Sequence, residues 1–396
     1  MGAFLTMKSK IELLAPAGDF RSLIAAVKAG CDSVYLGIKG WNMRDNARNF
    51  EISDLAKIRK MIGDKKLYLT LNTIIYDSEL GKIEKIIKKA KKYIDAVICW
   101  DLSVIELCKK YKIPVHISTQ ASVANSEAAK FYKRMGSERI VLARELNLKQ
   151  IKKISKIIDT EVFAHGALCV SESGRCFTSQ FLHCKSANKG ECKQPCRKSY
   201  IVRDELGNEL KVENSRIFSA KDLCTLPFLE KIKRAGVRAI KIEGRNREPE
   251  YVHSVVSVYR NALDKKLSRE EIKSGTQELE KVYNREFSSG FYLRHPGPDD
   301  FTKDDSGSQK ETKKFVATIK HYLKKINVAR VYINADKLSV GDEIIVSGTT
   351  TFFKMKIDDI EINHKKVQSV ERGREVGIKM PLAREGDEIY LVKRRA

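Results

Sequence analysis

The sequence predicts an α/β protein: a (β/α)8 TIM-like barrel with a cysteine-rich insertion between strands 7 and 8, followed by a small C-terminal antiparallel β-barrel. In the first 245 residues of the 396-residue chain, short apolar runs rich in β-branched residues alternate with amphipathic helical stretches. Buried parallel strands form continuous apolar runs, and eight such units favour a closed barrel over an open sheet. From residue 314 onward, short strands with Gly-Asp turns are typical of a small antiparallel barrel.

Each predicted barrel strand ends in a polar or special residue and leads into a helical stretch. The first helix has the clearest signals, since Asp19 suits its N-cap and Gly30 its C-terminal stop. The segment between the seventh and eighth runs is much longer than the others, and it predicts an insertion at the end of the barrel that holds active sites. In order, the eight runs are residues 11–16, 33–38, 67–72, 96–101, 115–120, 140–145, 161–166 and 238–244.

The same pattern divides the chain into three parts. Residues 1–295 are predicted to form the barrel domain, with the cysteine-rich insertion at about 167–225. Residues 296–313, which are rich in Gly, Pro, Ser and Asp, are predicted as a linker, and residues 314–396 as the C-terminal β-barrel domain.

The charge balance indicates a polyanionic partner. The chain has 75 Lys and Arg against 51 Asp and Glu, a net charge of +24, and the resulting field attracts nucleic acid. A lysine-rich chain with well-solvated helices, such as residues 82–93, is the other explanation of this charge.

The sequence also predicts a cytoplasmic location without a membrane partner. No stretch approaches the roughly 20 consecutive apolar residues that a membrane span needs. The N-terminus has neither the apolar run nor the cleavage site of a signal peptide. The sequence does not determine the oligomeric state.

Six of the nine cysteines lie between residues 169 and 224. In a reducing compartment such a cluster indicates a metal or catalytic site more than a set of disulfides. Neither closely spaced pair has the C-x2-C spacing of a zinc ribbon, whereas iron–sulfur clusters accept varied spacings. A cysteine nucleophile with His165 as its base would explain one cysteine only. Spacing therefore favours a metal ion or cluster and leaves nucleophilic and structural roles open.

Polar side chains at the predicted strand ends together predict a polar active-site mouth, although each alone is common in barrels. Arg44 and Arg48, in the second βα loop, are further candidates, because the planar guanidinium of arginine matches a carboxylate with two parallel hydrogen bonds. For each arginine, an ion pair with a neighbouring acid such as Asp45 is the alternative role. The strand ends carry Asn72, Asp101, Gln120, Arg144, Glu145, His165, Glu243 and Arg245.

Several motifs closely resemble those of peptidase family U32. They include "HGALCVSESGRC" at 165–176, "NKGECKQPCRKSY" at 188–200 and "KIEGRNREPEYV" at 241–252. The similarity covers nearly all of residues 11–300, and the C-terminal domain resembles one that many members append. The family name comes from collagenase-type members, but its better-understood members are oxygen-independent hydroxylation proteins. Some of these modify the wobble uridine of tRNA and use prephenate.

The resemblance also implies a [4Fe–4S] cluster bound by four cysteines. Cys196 is the alternative to Cys224 as the fourth ligand, and Cys184 has no assigned role. Carried over by position, the implied ligands are Cys169, Cys176, Cys192 and Cys224.

Residues and resemblance together predict an iron–sulfur enzyme that hydroxylates RNA, forming 5-hydroxyuridine or a derivative in tRNA, with prephenate as a candidate co-substrate. A U32-type collagenase-like peptidase is the alternative, although the sequence contains no HExxH motif and no evident Ser-His-Asp arrangement. An RNA-binding protein without catalysis is the third hypothesis. The predicted active-site residues are Arg44, Arg48, Asn72, Gln120, Arg144, His165, Glu243 and Arg245.

Overall fold

The computed structural model describes residues 10–172, 175–201, 203–208, 218–302 and 307–395. Its N-terminal part is built on one sheet of ten strands. These strands are β1 (Glu12–Pro16), β2 (Ser33–Gly37), β3 (Lys66–Thr70), β4 (Ala96–Cys99), β5 (Val115–Ile117), β6 (Arg139–Val141), β7 (Asp159–Gly166), β8 (Asp222–Cys224), β9 (Ala239–Ile242) and β10 (Phe287–Ser288).

Eight of these strands close a parallel barrel, which confirms the predicted TIM-like fold. Strands β1 to β7 pair with their neighbours in sequence order, and β9 pairs in parallel with both β1 and β7. The eight predicted runs correspond to β1–β7 and β9. Strand β8 pairs antiparallel with the end of β7 and parallel with β10. Strand β8 therefore places the last residues of the cysteine-rich insertion beside the C-terminal ends of the barrel strands.

Helices connect and cover the barrel strands. The Asp19 side chain caps the first helix by accepting a 2.8 Å hydrogen bond from the Ser22 N–H, and Gly30 follows its end with a φ of +87°. No helix in the described part of the chain is long and apolar enough to cross a membrane. The helices are α1 (Phe20–Lys28), α2 (Leu55–Ile62), α3 (Leu80–Ala90), α4 (Leu102–Lys110), α5 (Ser126–Arg134), α6 (Leu148–Ile154), α7 (Thr178–His183), α8 (Leu229–Arg234), α9 (Pro249–Asp264) and α10 (Arg269–Lys281).

The C-terminal part is an antiparallel β domain, as predicted. Its eight-stranded sheet has the order β15-β14-β20-β11-β12-β19-β16-β17, and β13 pairs with β18 beside it. No pairing joins the end strands β15 and β17 among the described residues, so the hydrogen-bonded order is open. The strands are β11 (Glu311–Leu323), β12 (Val328–Ile333), β13 (Leu338–Ser339), β14 (Glu343–Ser347), β15 (Phe352–Lys356), β16 (Ile360–Ile362), β17 (Lys365–Val367), β18 (Ser369–Val370), β19 (Glu375–Lys379) and β20 (Glu388–Arg394).

This β domain packs directly against the barrel. Ile345 and Phe352 belong to the hydrophobic core of the barrel domain. Arg21 of α1 forms an ion pair with Glu388, and Lys28 Nζ donates to the carbonyl oxygen of Phe352 at 3.2 Å. The β domain and the barrel therefore share apolar and polar contacts along α1.

The interior of the barrel contains a network of buried charges. Arg139 donates to Glu12 at 2.8 Å and to Glu161 at 3.4 Å, and Lys241 donates to Glu161 at 3.0 Å. All four side chains are buried. They come from β1, β6, β7 and β9, which are consecutive neighbours around the barrel. The network therefore ties together the strands at which the barrel closes.

The ionised form of Glu12 is strongly favoured in this network. Burial alone would raise its pKa, but hydrogen bonds from Arg139, Ser33 and Tyr68 outweigh that effect and lower the pKa from 4.5 to about 2. Because the folded-state pKa is depressed, the stability that Glu12 contributes is present above about pH 4.5 and is lost as the pH falls through about 2.

Removing the central cation of this network should strongly destabilise the fold. We expect Arg139→Met to lower the free energy of unfolding by about 3–5 kcal/mol, because Glu12 and Glu161 would remain buried without their shared partner. Denaturant unfolding measures the change. The control is Lys130→Met, which removes an exposed ion pair with Glu127 and should change the free energy by about 0.5 kcal/mol or less. Equal effects of the two substitutions would contradict this account.

Candidate functional site

A cavity of about 240 Å³ lies at the C-terminal ends of the barrel strands. Parallel barrels place their chemistry at this end, because the βα loops converge there. Six of the eight predicted active-site residues line the cavity: Arg44, Asn72, Gln120, Arg144, Glu243 and Arg245.

Glu243 is the one carboxylate among the described residues that line the cavity. Its Oε1 accepts a hydrogen bond from Arg44 Nε at 3.1 Å, and its Oε2 lies 3.5 Å from the hydroxyl of Tyr35. Burial would raise its pKa, but Arg44, Arg144 and Arg245 together hold the pKa below its usual value. Glu243 therefore stays ionised and fixes the position of Arg44.

Arg144 and Arg245 place two more guanidinium groups in the cavity lining. Arg144 donates to the carbonyl oxygen of Ala167 at 2.7 Å, while its Nε is buried without a hydrogen-bond partner in the described part of the chain. Arg245 donates to Thr70 Oγ1 at 2.9 Å, and burial lowers its pKa to about 10. Burying a charged donor without a partner costs free energy, so the unbonded Nε of Arg144 and the excess of positive charge favour an anion in the cavity.

Positive charge dominates the cavity lining, which also contains cations that the sequence does not predict. Lys241 is not among the predicted active-site residues, although a lysine inside the apolar run of β9 indicates an inward-facing charge. Arg285 could not be found from its position, because it follows α10 and is remote in sequence from the strand ends. Against the single carboxylate of Glu243, the lining cations are Arg44, Arg144, Arg197, Lys241, Arg245, Arg247 and Arg285.

Amide and hydroxyl groups form the neutral part of the cavity wall. Asn72 Oδ1 accepts from the backbone N–H of Met43 at 3.2 Å, and its Nδ2 lies 3.4 Å from both Ser118 Oγ and Gln120 Oε1. Ser118 in turn donates to Gln120. These groups combine donors and acceptors, as the recognition of a base edge or an amide requires.

The other two predicted residues, Arg48 and His165, do not line the cavity. Arg48 points outward and pairs with Asp19 at 3.2 Å. His165 is buried on β7, where its Nδ1 lies 3.5 Å from the hydroxyl of Tyr259. Burial, together with the charge of Arg247, lowers the pKa of His165 to about 3. The imidazole is therefore neutral near pH 7 and lies among aromatic side chains.

The cysteine-rich insertion docks on the loop that carries Arg44. Gly190 approaches so closely that a Cβ atom there would lie 2.1 Å from the carbonyl oxygen of Asn42, and its φ is +90°. The Gly190 carbonyl oxygen accepts from the Asp45 N–H at 3.1 Å, and Asn46 Nδ2 donates to the Cys192 carbonyl oxygen at 2.8 Å. These contacts bring the insertion to the rim of the cavity.

Four cysteines of the insertion lie near one another at this rim. Cys169, Cys192 and Cys196 line the cavity. Burial raises the pKa of the Cys196 thiol, Arg197 opposes this, and the thiols of Cys169, Cys192 and Cys176 raise it further. The four thiols therefore interact electrostatically, and all of them are free.

Hydrogen-bond donors point at two of these sulfurs. The Thr178 N–H lies 3.4 Å from Cys176 Sγ, and the Gln194 N–H lies 3.4 Å from Cys192 Sγ. Burial would raise the pKa of Cys176, but hydrogen bonds from Ser171 and Thr178 outweigh it and lower the pKa. Such donors favour the thiolate, which is the form that binds iron. At Cys192, burial outweighs the donor and the pKa is raised.

The fourth ligand that the resemblance implies is Cys224. Cys224 lies on β8, outside the cavity lining, and its Sγ is 3.9 Å from the hydroxyl of Tyr259. Burial raises its pKa to about 11. Cys184 is exposed at the end of α7. Of the two candidates for a fourth ligand, Cys196 lines the cavity together with Cys169 and Cys192, and Cys224 does not. Which of the two binds the cluster stays a prediction.

The thiols at this rim are ligands of the kind that an iron–sulfur cluster uses. Across the described ranges, no three His, Cys, Asp or Glu side chains converge closely enough to hold one metal ion. A [4Fe–4S] cluster binds each thiolate at a different iron, so its ligands are spread around a larger body. The cations around the cavity would compensate the negative charge of such a group.

Comparison with known protein sequences identifies the family to which this chain is similar. Residues 18–302 match the sequence profile of peptidase family U32. A protein named collagenase from Porphyromonas gingivalis is 38% identical over 408 residues, which cover 97% of this chain and 98% of that protein.

Other relatives carry names that refer to RNA. A tRNA hydroxylation protein of Bacillus subtilis is 33% identical over 330 residues, which cover 79% of this chain and 78% of that protein. A 23S rRNA 5-hydroxycytidine synthase of Escherichia coli is 39% identical over 260 residues, which cover 64% of this chain and 39% of that protein.

The neutral state of His165 predicts a pH dependence of stability. Because its folded-state pKa is depressed, its contribution is present above about pH 6.5 and declines as the pH falls toward 3. We expect His165→Asn to flatten this decline by up to about 1.4 kcal/mol per pH unit. The free energy of unfolding in urea is measured at pH 4, 5 and 6, which lie within this range, and gives the slope for each variant. The exposed His183→Asn is the control and should keep the wild-type slope; an unchanged slope in His165→Asn would contradict the prediction.

Proposed function

The chain belongs to peptidase family U32, and from the chemistry of its cavity we propose that it hydroxylates a pyrimidine base of tRNA, forming 5-hydroxyuridine or a derivative. The observation that carries the proposal is the cavity lining, in which seven cations and one carboxylate adjoin three cysteines. This composition suits anionic substrates and a thiolate-bound cluster. The names of the RNA-hydroxylating relatives support the same reaction.

The arginines bind and orient anionic groups in this proposal. Arg144 and Arg245 offer guanidinium groups of the cavity lining to the carboxylates of a co-substrate, for which we propose prephenate. Glu243 holds Arg44 in position by their 3.1 Å hydrogen bond. Asn72 and Gln120 present amide groups that can pair with the edge of a pyrimidine. Each role thus follows from donors and acceptors that already face the cavity.

The four clustered cysteines, Cys169, Cys176, Cys192 and Cys196, would hold a [4Fe–4S] cluster at the rim. When bound, such a cluster supplies one-electron redox or Lewis-acid chemistry. Replacing a C–H hydrogen by a hydroxyl group is a two-electron oxidation, whereas hydrolysis of a peptide involves no net electron transfer. A redox-capable site therefore suits hydroxylation more than proteolysis.

Peptide hydrolysis has weaker support in the geometry, although the Porphyromonas gingivalis relative is named a collagenase. Ser118 lines the cavity, but it donates to Gln120, which is not a base. His165 lies outside the cavity lining, and the arginines keep Glu243 ionised with a lowered pKa. A general base works best with a pKa near the operating pH, and none of these groups provides one.

Mass spectrometry of tRNA nucleosides tests the proposed function. We expect RNA from a strain that lacks this chain to lose a hydroxylated pyrimidine, and the wild-type chain to restore it. Unchanged nucleosides in both tRNA and ribosomal RNA would contradict the proposal. Peptide cleavage by the pure protein that is lost in Cys169→Ala would then favour the peptidase.

Two arginines of the same loop provide a matched test of the cavity. We expect Arg44→Met to reduce the hydroxylated nucleoside by about tenfold or more, since hydrogen bonds to charged groups contribute about 1.5–3 kcal/mol. Arg48→Met should have no effect, because Arg48 points outward and pairs with Asp19. Equal losses in both variants, or none in either, would contradict the assignment of the cavity.

The iron content of cysteine variants tests the ligand set. We expect anaerobically purified Cys196→Ala to lose its iron, because its thiol lies beside three others at the rim. Cys224→Ala should keep its iron, because that thiol faces Tyr259. Iron analysis and visible absorbance measure both variants. Iron loss in Cys224→Ala together with full retention in Cys196→Ala would return the fourth position to Cys224.

A further inference from the structure

We propose that the cysteine-rich insertion carries a stacking platform for unpaired RNA bases that flank the target nucleotide. We call this platform the aromatic rim and define it by Phe177 and Phe181. The inference rests on the proposed function, because it takes RNA as the substrate. It adds a surface outside the cavity and names the structural class of RNA that this surface accepts.

The first observation is the exposure of large apolar side chains on and around the six-residue helix α7. Phe177 is 67% exposed, Phe181 85% and Leu182 56%. Exposed aromatic side chains that lie close together indicate a binding surface. Their position is fixed by sequence, because Phe177 directly follows Cys176, one of the clustered cysteines. The rim therefore adjoins the same end of the barrel as the cavity.

The opposite side of α7 is anchored, so the exposed rings stand on a fixed support. Ser179 is fully buried, and its Oγ accepts from the backbone N–H of Lys193 at 3.0 Å. The Thr178 N–H is directed at Cys176 Sγ. A platform held in this way loses little conformational entropy when a base stacks on it.

The second observation is the charge that surrounds these rings. Residues 175–200 contain six Lys and Arg and one acidic residue, Glu191. Arg175, Lys185, Lys193 and Lys198 are all exposed. Aromatic rings interleaved with cations are the arrangement by which proteins bind single-stranded nucleic acid, with bases on the rings and phosphates on the cations. The charge therefore favours RNA over an apolar protein partner.

The insertion also lies against aromatic residues of the barrel loops. Lys189 Nζ lies 5.1 Å from the ring centre of Tyr76, which is 54% exposed. The guanidinium of Arg175 lies 5.3 Å from the ring centre of Trp100. These cation–ring contacts join the insertion to the loops after β3 and β4, and the first of these loops contributes Asn72 to the cavity lining.

The position of the cavity explains why unpaired bases need such a surface. Its lining residues lie at the strand ends and several are buried, so a base inside a duplex cannot reach them without leaving the stack. A target in a single-stranded loop has neighbours that have already lost part of their stacking. The rim offers these neighbours a replacement. It should therefore prefer hairpin loops to duplex RNA.

Binding of a hairpin RNA to the anaerobically prepared holoprotein tests the rim. We expect Phe177→Ala and Phe181→Ala each to weaken binding of a hairpin with a single-stranded loop by about tenfold. Binding of a blunt duplex of matched length should change little. The dependence of affinity on salt should stay as in the wild type, because these rings contact no phosphate. Fluorescence anisotropy over a salt series measures these effects.

Three further variants keep the test specific. Phe181→Trp retains a ring and should keep hairpin affinity, whereas Phe181→Leu retains apolar surface only and should lose it. Phe131→Ala removes a 49%-exposed ring of the outer helix α5 and should change nothing. Unchanged iron content in every variant shows that the fold and the cysteine site persist.

The outcomes separate the two proposals. If the wild-type protein binds neither RNA, the proposed function itself fails. If the wild type binds the hairpin and the rim variants bind it equally well, the aromatic rim is overturned and the proposed function stands. Equal loss for hairpin and duplex, or full affinity in Phe181→Leu, would also contradict base stacking. Selective loss of hairpin binding in the alanine variants supports the rim.

Discussion

The structure depends on charge that is buried along the inside of the barrel. The network of Glu12, Arg139, Glu161 and Lys241 joins the strands at which the barrel closes. Lys241 also lines the cavity above and lies 4.2 Å from the ring centre of Tyr35, whose hydroxyl is near Glu243. Buried charges must be paired to be tolerated. Each carboxylate of the network has a cation, whereas the cations that line the cavity outnumber its lining carboxylates.

This gradient from paired to partly unpaired charge gives the cavity its chemistry. Below it, each carboxylate of the network has its cation, whereas seven cations line the cavity and Glu243 is the one lining carboxylate among the described residues. Two of these cations, Lys241 and Arg285, also pair with carboxylates outside the lining. The cysteine insertion lies at this mouth because Gly190 permits close contact with the loop that carries Arg44. The same excess of positive charge would attract each proposed partner, because the anionic co-substrate, the thiolate-bound cluster and the phosphates of RNA are all negatively charged. One electrostatic feature thus accounts for three proposed binding partners.

The sequence predicts the barrel well, because strand and helix patterns are local and eight apolar runs are visible. It predicts cavity residues where a strand end fixes the direction of a side chain, as for Asn72 and Arg245. It fails for Arg48, because the turn of its loop sends that side chain outward. Spacing alone does not choose between Cys196 and Cys224, since the folding of the insertion decides which thiol lies at the cavity, and Cys196 is the one that lines it. Arg285 was missed because tertiary packing alone brings it from the segment after α10.

The measurement that most directly tests the central claim is transfer of an oxygen atom to RNA by the purified protein. Anaerobically prepared protein would be incubated with unmodified tRNA, prephenate and a dye that accepts electrons, because hydroxylation removes two electrons from the base. Gelatin would be added to a parallel reaction, and the nucleosides and peptides analysed by mass spectrometry. The account predicts one pyrimidine nucleoside heavier by a single oxygen atom and intact gelatin. Unmodified nucleosides together with cleaved gelatin would contradict it.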